Sequence, residues 1–150
     1  MSAPVSVGVI GMKALSRDVT KLCADAGPMN EALRQVGLEV AQPVAALTRS
    51  SLPQVSGRLA GDVRATASRS GAAVRMGRAS LRYAGWVEFG GHRRAPHEST
   101  RPYQPRGRYL FPAALQLAQT SAEAYARGTN AALERFGWTN TTTDGGAVHD

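Results

Sequence analysis

Apolar side chains recur every three to four residues over some stretches of this chain and every second residue over others, and these two periods predict its elements. From Met29 to Arg49, Leu33, Val36, Val40, Val44 and Leu47 fall on one face of a helix. Pro43 lies inside that pattern and is expected to kink or divide the helix, because it removes a backbone hydrogen bond. Pro28 suits the first turn, after a break that begins at Asp25. Upstream, Val5–Ile10 reads as a short strand or extended arm, and Met12–Ala24 as a helix with Leu15, Val19, Leu22 and Cys23 on one side.

Downstream the period becomes two. Asp62–Ala67 and Ala72–Gly77 read as strands joined by a hairpin turn at Ser68–Gly71, with Val74 and Met76 alternating with Arg75. Leu81–Phe89 reads as a third strand, with Leu81, Tyr83, Gly85, Val87 and Phe89 facing one way and Arg82, Trp86 and Glu88 the other. Gly90–Arg108 has no apolar period and reads as a long Arg/Pro/Gly loop. Pro112 then opens a helix to about Phe136, roughly 37 Å long at 1.5 Å per residue. Its expected buried stripe is Leu115, Ala118, Ala122, Tyr125, Thr129, Leu133 and Phe136. The predicted fold is α+β, a small antiparallel β-meander packed against long N-terminal and C-terminal helices. One domain is expected over residues 1–138, and the polar tail 139–150 should be disordered on its own.

Charge changes this picture more than composition does. The block Arg49–Arg108 holds twelve arginines against Asp62, Glu88 and Glu98, a local charge of +9, which leaves −2 for the rest of a chain whose net charge is +7. Such a block implies an anionic neighbour, either nucleic acid or the acidic face of a protein. Base-specific readout is not expected, because the arginines fall on predicted strands and a loop without a recognition helix or interleaved stacking aromatics. No apolar run reaches the roughly 18 residues of a membrane span, and the N-terminus lacks a signal-peptide layout, so a cytoplasmic protein is expected.

Candidate chemistry is sparse. Cys23 is the only cysteine, which excludes an internal disulfide and reads as a buried, inert thiol. No phosphate-binding loop, dinucleotide fingerprint, zinc-protease motif or nucleophile elbow is present. His92, His97 and Glu98 could be grouped as metal ligands, but surrounding arginines would repel a cation, and no metal or cofactor is expected. Glu88, beside Tyr83 and Trp86, could be taken for a catalytic acid. An ion pair with a strand or loop arginine is the expected role, and no enzyme activity is predicted.

Three segments in order resemble the neck and minor tail-component family of siphophages, whose members are head-to-tail connector, tail-completion or tail-joining proteins. Leu52-Pro53-Gln54-Val55-Ser56-Gly57-Arg58-Leu59 is similar to the family's P-x-x-T/S-G-x-L turn into its first strand. Tyr83-Ala84-Gly85-Trp86-Val87-Glu88-Phe89-Gly90 is similar to Y-A-x-x-V/I-E-F-G. Arg101-Pro102-Tyr103 and Leu110-Phe111-Pro112-Ala113 are similar to the R-P-F-x-x-P-A that opens the family's last helix, here separated by Gln104–Tyr109.

The resemblance implies a structural virion protein. It would form a ring, six-fold in expectation, between head-completion proteins and the tail tube or terminator, with DNA passing through the lumen unread. It would reside in the neck of the virion and in host cytoplasm during assembly. Arg93, Arg94, Arg101, Arg106 and Arg108 are the candidate partner-binding residues, with Arg101 and Arg108 expected to stay free for partners. The expected role of Gly57 is a tight turn braced by Ser56, that of Gly90–Gly91 release into the loop, and that of Pro112 setting the helix start. The loop 90–108 is expected to be mobile until a neighbour orders it. The alternative reading is a small basic nucleic-acid-binding module.

Overall fold

The computed structural model describes residues 5–8, 26–68, 71–95 and 98–137. Its elements are β1 (Val5–Gly8), α1 (Ala26–Ser51), α2 (Arg58–Asp62), β2 (Arg64–Ser68), β3 (Gly71–Met76), α3 (Ala84–Phe89), β4 (Gly91–Arg93), β5 (Ser99–Arg101), α4 (Leu110–Gln116) and α5 (Ala118–Arg135). The fold is α+β, as the two periods predict. Cys23, the helix expected over Met12–Ala24, His97 and the tail 139–150 lie outside the described residues.

Helix α1 is the spine. Leu33, Val36, Val40 and Val44 are buried along it as the pattern requires, joined by Met29, Ala41, Ala45 and Thr48. Pro43 faces solvent and the helix runs through it undivided. The C-terminal half of α1 packs on one face of a three-stranded antiparallel sheet of order β1-β3-β2. Strand β3 buries Ala72, Val74 and Met76 and turns Arg75 outward, the alternation read from its sequence. Arg64 lies opposite Arg75 on β2 and is also exposed, so the sheet's outer face is polar and basic.

The third strand of the sheet is β1, with Val5 opposite Met76 and Val7 opposite Val74. Leu81–Phe89, expected to complete the meander, is instead a turn followed by helix α3. Gly77, at φ 96, breaks the chain out of β3, and Ala84, Val87 and Glu88 then share the buried face at helical spacing. Five alternating side chains fit a strand, but Ala84, Val87 and Glu88 at i, i+3 and i+4 fit a helix equally, and burial of Ala84 and Val87 in the main core, with Glu88 against residues 108–111, decides for the helix. Tyr83 is therefore no sheet residue; it stands at the entry to α3, half-buried against the core.

The C-terminal helix is two helices. A turn at Leu117 separates α4 from α5, and this shifts the buried stripe. Leu115 is 79% exposed, Ala118 and Ala122 are exposed and Phe136 lies at the surface, while Thr129 and Ala132 are buried and Tyr125 and Leu133 half-buried. Helix α5 packs along the N-terminal half of α1, where Met29, Leu33 and Ala132 form a second small core. The two backbones approach closely at Gly128, where an added Cβ would stand 2.7 Å from Val36 Cγ1. Gly128→Ala gains about 1 kcal/mol of helix propensity but overpacks a site of stiff valine methyls at a cost of about 1–3 kcal/mol. A net loss is expected in urea unfolding, largely recovered in the double variant with Val36→Ala.

Candidate functional site: a buried carboxylate latch beside a basic cleft

Helix α4 begins with a problem common to all helices, that its first backbone N–H groups have no partner within the helix. Glu88 of α3 solves it. Its side chain is fully buried, and Oε1 accepts from the N–H of Arg108 (3.2 Å) and Phe111 (3.1 Å), while Oε2 accepts from Tyr109 and Leu110 (3.1 Å each). Pro112, next in line, has no N–H to satisfy. The carboxylate thus meets every free donor at this helix start and sits at the positive end of its dipole. The expected ion pair is absent: Glu88 is held by four backbone N–H groups, and no salt bridge involves it among the described residues. A carboxylate occupied on both oxygens has no lone pair directed at a substrate.

The segment 90–108, expected as an irregular loop, carries its own ladder. Strands β4 and β5 pair Gly91 with Arg101, His92 with Thr100 and Arg93 with Ser99. The chain then returns to α3, Gln104 N–H donating to Phe89 O at 2.7 Å. Gly90 (φ 79, ψ −152) makes the turn from α3 into β4, and a Cβ there would overlap the Pro102 carbonyl oxygen. Gly107 (φ 72) lies directly against Glu88, and a Cβ there would overlap Oε1. Phe89 and Phe111 close the junction, ring centroids 5.5 Å apart.

The candidate arginines divide. Arg101 and Arg108, expected to stay free for partners, are committed inside the subunit. Arg101 donates to Val87 O and to Tyr109 Oη at 3.1 Å each, its guanidinium 5.7 Å from the Trp86 ring centre and 5.9 Å from that of Tyr109. It thereby supplies a cation and a donor to a carbonyl near the end of α3. Arg108 Nη2 donates to Pro102 O across the loop base. Arg94 and Arg106 are exposed, and Arg93, half-buried, lies over the Tyr83 ring at 5.7 Å. His92 shares a 3.1 Å hydrogen bond with Thr100 Oγ1, and no group of three metal-ligating side chains occurs among the described residues.

The first motif also holds a departure. Gly57 adopts the left-handed conformation at φ 68, as a tight turn needs. The chain enters the short helix α2 rather than a strand, and the turn is closed by Gly61 N–H to Gly57 O at 2.9 Å, with no Ser56 side-chain bond among the described residues. Leu59 is buried there, while Pro53 remains exposed. At the end of α2 the sequence reading missed Asp62. It is buried, accepts the Gly77 N–H at 2.8 Å, and pairs with Arg64 and Arg78 at 3.1 Å each. Its place at the junction between an amphipathic turn and a strand, flanked by Leu59 and Val63, was the available signal.

Two of the three acids in the basic block are thus buried as anchors, leaving Glu98 as the acid exposed on its surface. Beside the latch, α3 and β4 enclose an open cleft of about 570 Å³ lined by Arg82, Tyr83, Trp86, His92 and Arg93, with no acidic side chain among the described residues of its walls. Trp86 is fixed by donating Nε1–H to Gly91 O at 3.1 Å. No helix among the described residues is long and apolar enough to cross a membrane. Compared with protein-family models, curated proteins and solved structures, the chain finds no match.

Proposed function

We propose that this chain is a structural subunit of the neck ring joining head to tail in a long-tailed bacteriophage. In this reading it stacks between head-completion proteins and the tail tube or terminator, around the DNA channel of the virion. The observation that carries the reading is the Glu88 latch. It ties Glu88-Phe89-Gly90 to the start of the Leu110-Phe111-Pro112-Ala113 helix, so two of the three segments that resemble the neck family form one structural joint. The shared residues are accounted for by architecture, with no substrate chemistry required of them.

Two surface features favour a subunit built for neighbours. Val55 is 94% exposed, Tyr103 69% and Leu115 79%, apolar side chains that a ring interface would cover. The exposed Arg58, Arg75, Arg82, Arg94 and Arg106 lie on turns, strands and a short helix, suited to phosphates or carboxylates rather than to base edges. The competing reading, a free-standing nucleic-acid-binding module, draws on the same arginines. Sedimentation velocity across a concentration series, with DNA binding measured at several salt concentrations, separates them. The neck reading expects self-association toward a closed ring of about six subunits, and weak DNA binding that ignores sequence and falls steeply with salt. A monomer at every concentration that prefers one DNA sequence over scrambled DNA would favour the module instead.

A further inference from the structure

We infer that the cleft between α3 and β4 is a docking groove for an extended acidic peptide segment of a partner protein, which adds as a strand along β4. Three observations converge there. The first is charge: Arg82 and Arg93 flank a groove with no acid among the described residues of its walls, in a block whose acids are buried or lie at Glu98. A guanidinium grips a carboxylate through two parallel hydrogen bonds, and neither of these two is engaged in a salt bridge among the described residues.

The second is the strand edge. Strands β4 and β5 form a sheet of two, and the cleft is lined by His92 and Arg93 of β4 and by no residue of β5. It therefore lies on the side of β4 away from β5, which has no strand beside it among the described residues, although the Gly91 carbonyl already accepts from Trp86 Nε1–H. Unpaired main-chain N–H and C=O groups on such an edge are complementary to another peptide backbone, and strand addition is a recurring way of using them. This favours a peptide over nucleic acid, whose phosphates can accept from arginines and main-chain N–H groups but do not present the alternating donors and acceptors that a strand edge pairs with.

The third is the floor. Tyr83 and Trp86 are half-buried, one turn apart, and the Trp86 ring is pinned by Gly91 O on one side and by the Arg101 guanidinium at 5.7 Å. A rigid aromatic floor accepts apolar side chains alternating with acidic ones on a bound strand. The volume, about 570 Å³, lies within the ~300–1,000 Å³ of ligand clefts and admits a few residues of extended chain. This inference stands apart from the neck reading, because the free subunit is enough to test it.

Trp86 is its own reporter in a full-length chain carrying Trp138→Phe. The probe is a capped hexapeptide alternating glutamate with valine, titrated while Trp86 emission is followed. A saturable emission change is expected, weakening as salt rises, with about a tenfold loss of affinity on Arg82→Ala or Arg93→Ala. The matching lysine–valine peptide should leave the emission unchanged. N-methylation of the glutamate–valine peptide at alternate residues should abolish binding, since it removes the main-chain donors while keeping every charge, and this arm needs no protein variant. Absence of a saturable response to the acidic peptide would overturn the proposal. So would undiminished binding of the N-methylated peptide, or tighter binding of hexathymidylate.

Discussion

Replacing Glu88 with glutamine should cost the fold about 2–6 kcal/mol, because two buried backbone donors are left without an acceptor at about 1–3 kcal/mol each. The amide is nearly isosteric, so packing changes little. Its NH₂ group, however, replaces an oxygen that accepts two backbone N–H groups, whichever way the amide is turned. Two donors at the start of α4 lose their acceptor and face another donor, and the favourable charge at the helix N-terminus disappears. Against a total stability of about 5–15 kcal/mol for a domain of this size, such a loss leaves a marginal protein. Urea unfolding would measure it. Hydrogen exchange would localise it, with the amides of Arg108, Tyr109, Leu110 and Phe111 losing protection ahead of those in α1. A glutamine variant within 1 kcal/mol of the parent would contradict the latch.

Gly90→Ala should be nearly as damaging, by a different route. At φ 79 and ψ −152 the backbone lies in a region that essentially only glycine adopts, and forcing alanine there costs on the order of 1–3 kcal/mol. The new Cβ would also overlap the Pro102 carbonyl oxygen, with Arg101 O and Arg108 Nη1 each 3.0 Å away. These atoms belong to the loop base that Gln104 and Arg108 hold against α3, so they give way only by breaking that base. Overpacking of this kind adds about 1–3 kcal/mol. Gly91→Ala is the control: its φ of 101 is equally unfavourable, but no atom lies within 4 Å of the added Cβ. In urea unfolding Gly90→Ala should therefore lose clearly more than Gly91→Ala, and equal losses would mean that the close approach to Pro102 does not matter.

Legibility in the sequence followed the strength of the periodic signal. The face of α1 was readable because Leu33, Val36, Val40 and Val44 repeat at helical spacing over twelve residues, and the stripe stays continuous although α5 covers its N-terminal part and the sheet its C-terminal part. Strand β3 was readable because its two faces differ sharply in polarity. Leu81–Phe89 was not, because Val87-Glu88-Phe89 satisfies either period and its burial depends on a helix twenty residues downstream. That same distance hid the latch. Nothing local to Glu88 announces that its partners are the backbone N–H groups of residues 108–111, and a backbone donor leaves no mark in a sequence. The single long C-terminal helix failed for a related reason: Leu115 fits the stripe on paper, but the turn at Leu117 rotates it out to 79% exposure.

The basic block was countable in advance, but not which of its arginines serve the fold. Arg101 and Arg108 both bond to carbonyl groups, and Arg101 also lies beside the Trp86 and Tyr109 rings; only the folded chain brings these partners to them. Arg93 and Arg94, adjacent in sequence, differ in exposure because Arg93 lies over Tyr83. The surface charge that remains is concentrated by the burial of Asp62 and Glu88, a consequence of tertiary structure that composition does not contain.

The central claim is that this subunit closes into a ring at the head–tail junction. Cryo-electron microscopy of virions, with the neck reconstructed and this fold placed in its density, tests it most directly. The account predicts a closed ring of copies around the DNA channel, with the latch between α3 and α4 intact and the β4–β5 hairpin directed at a neighbouring chain. Necks fully explained by other proteins, with no density that fits this chain, would contradict it.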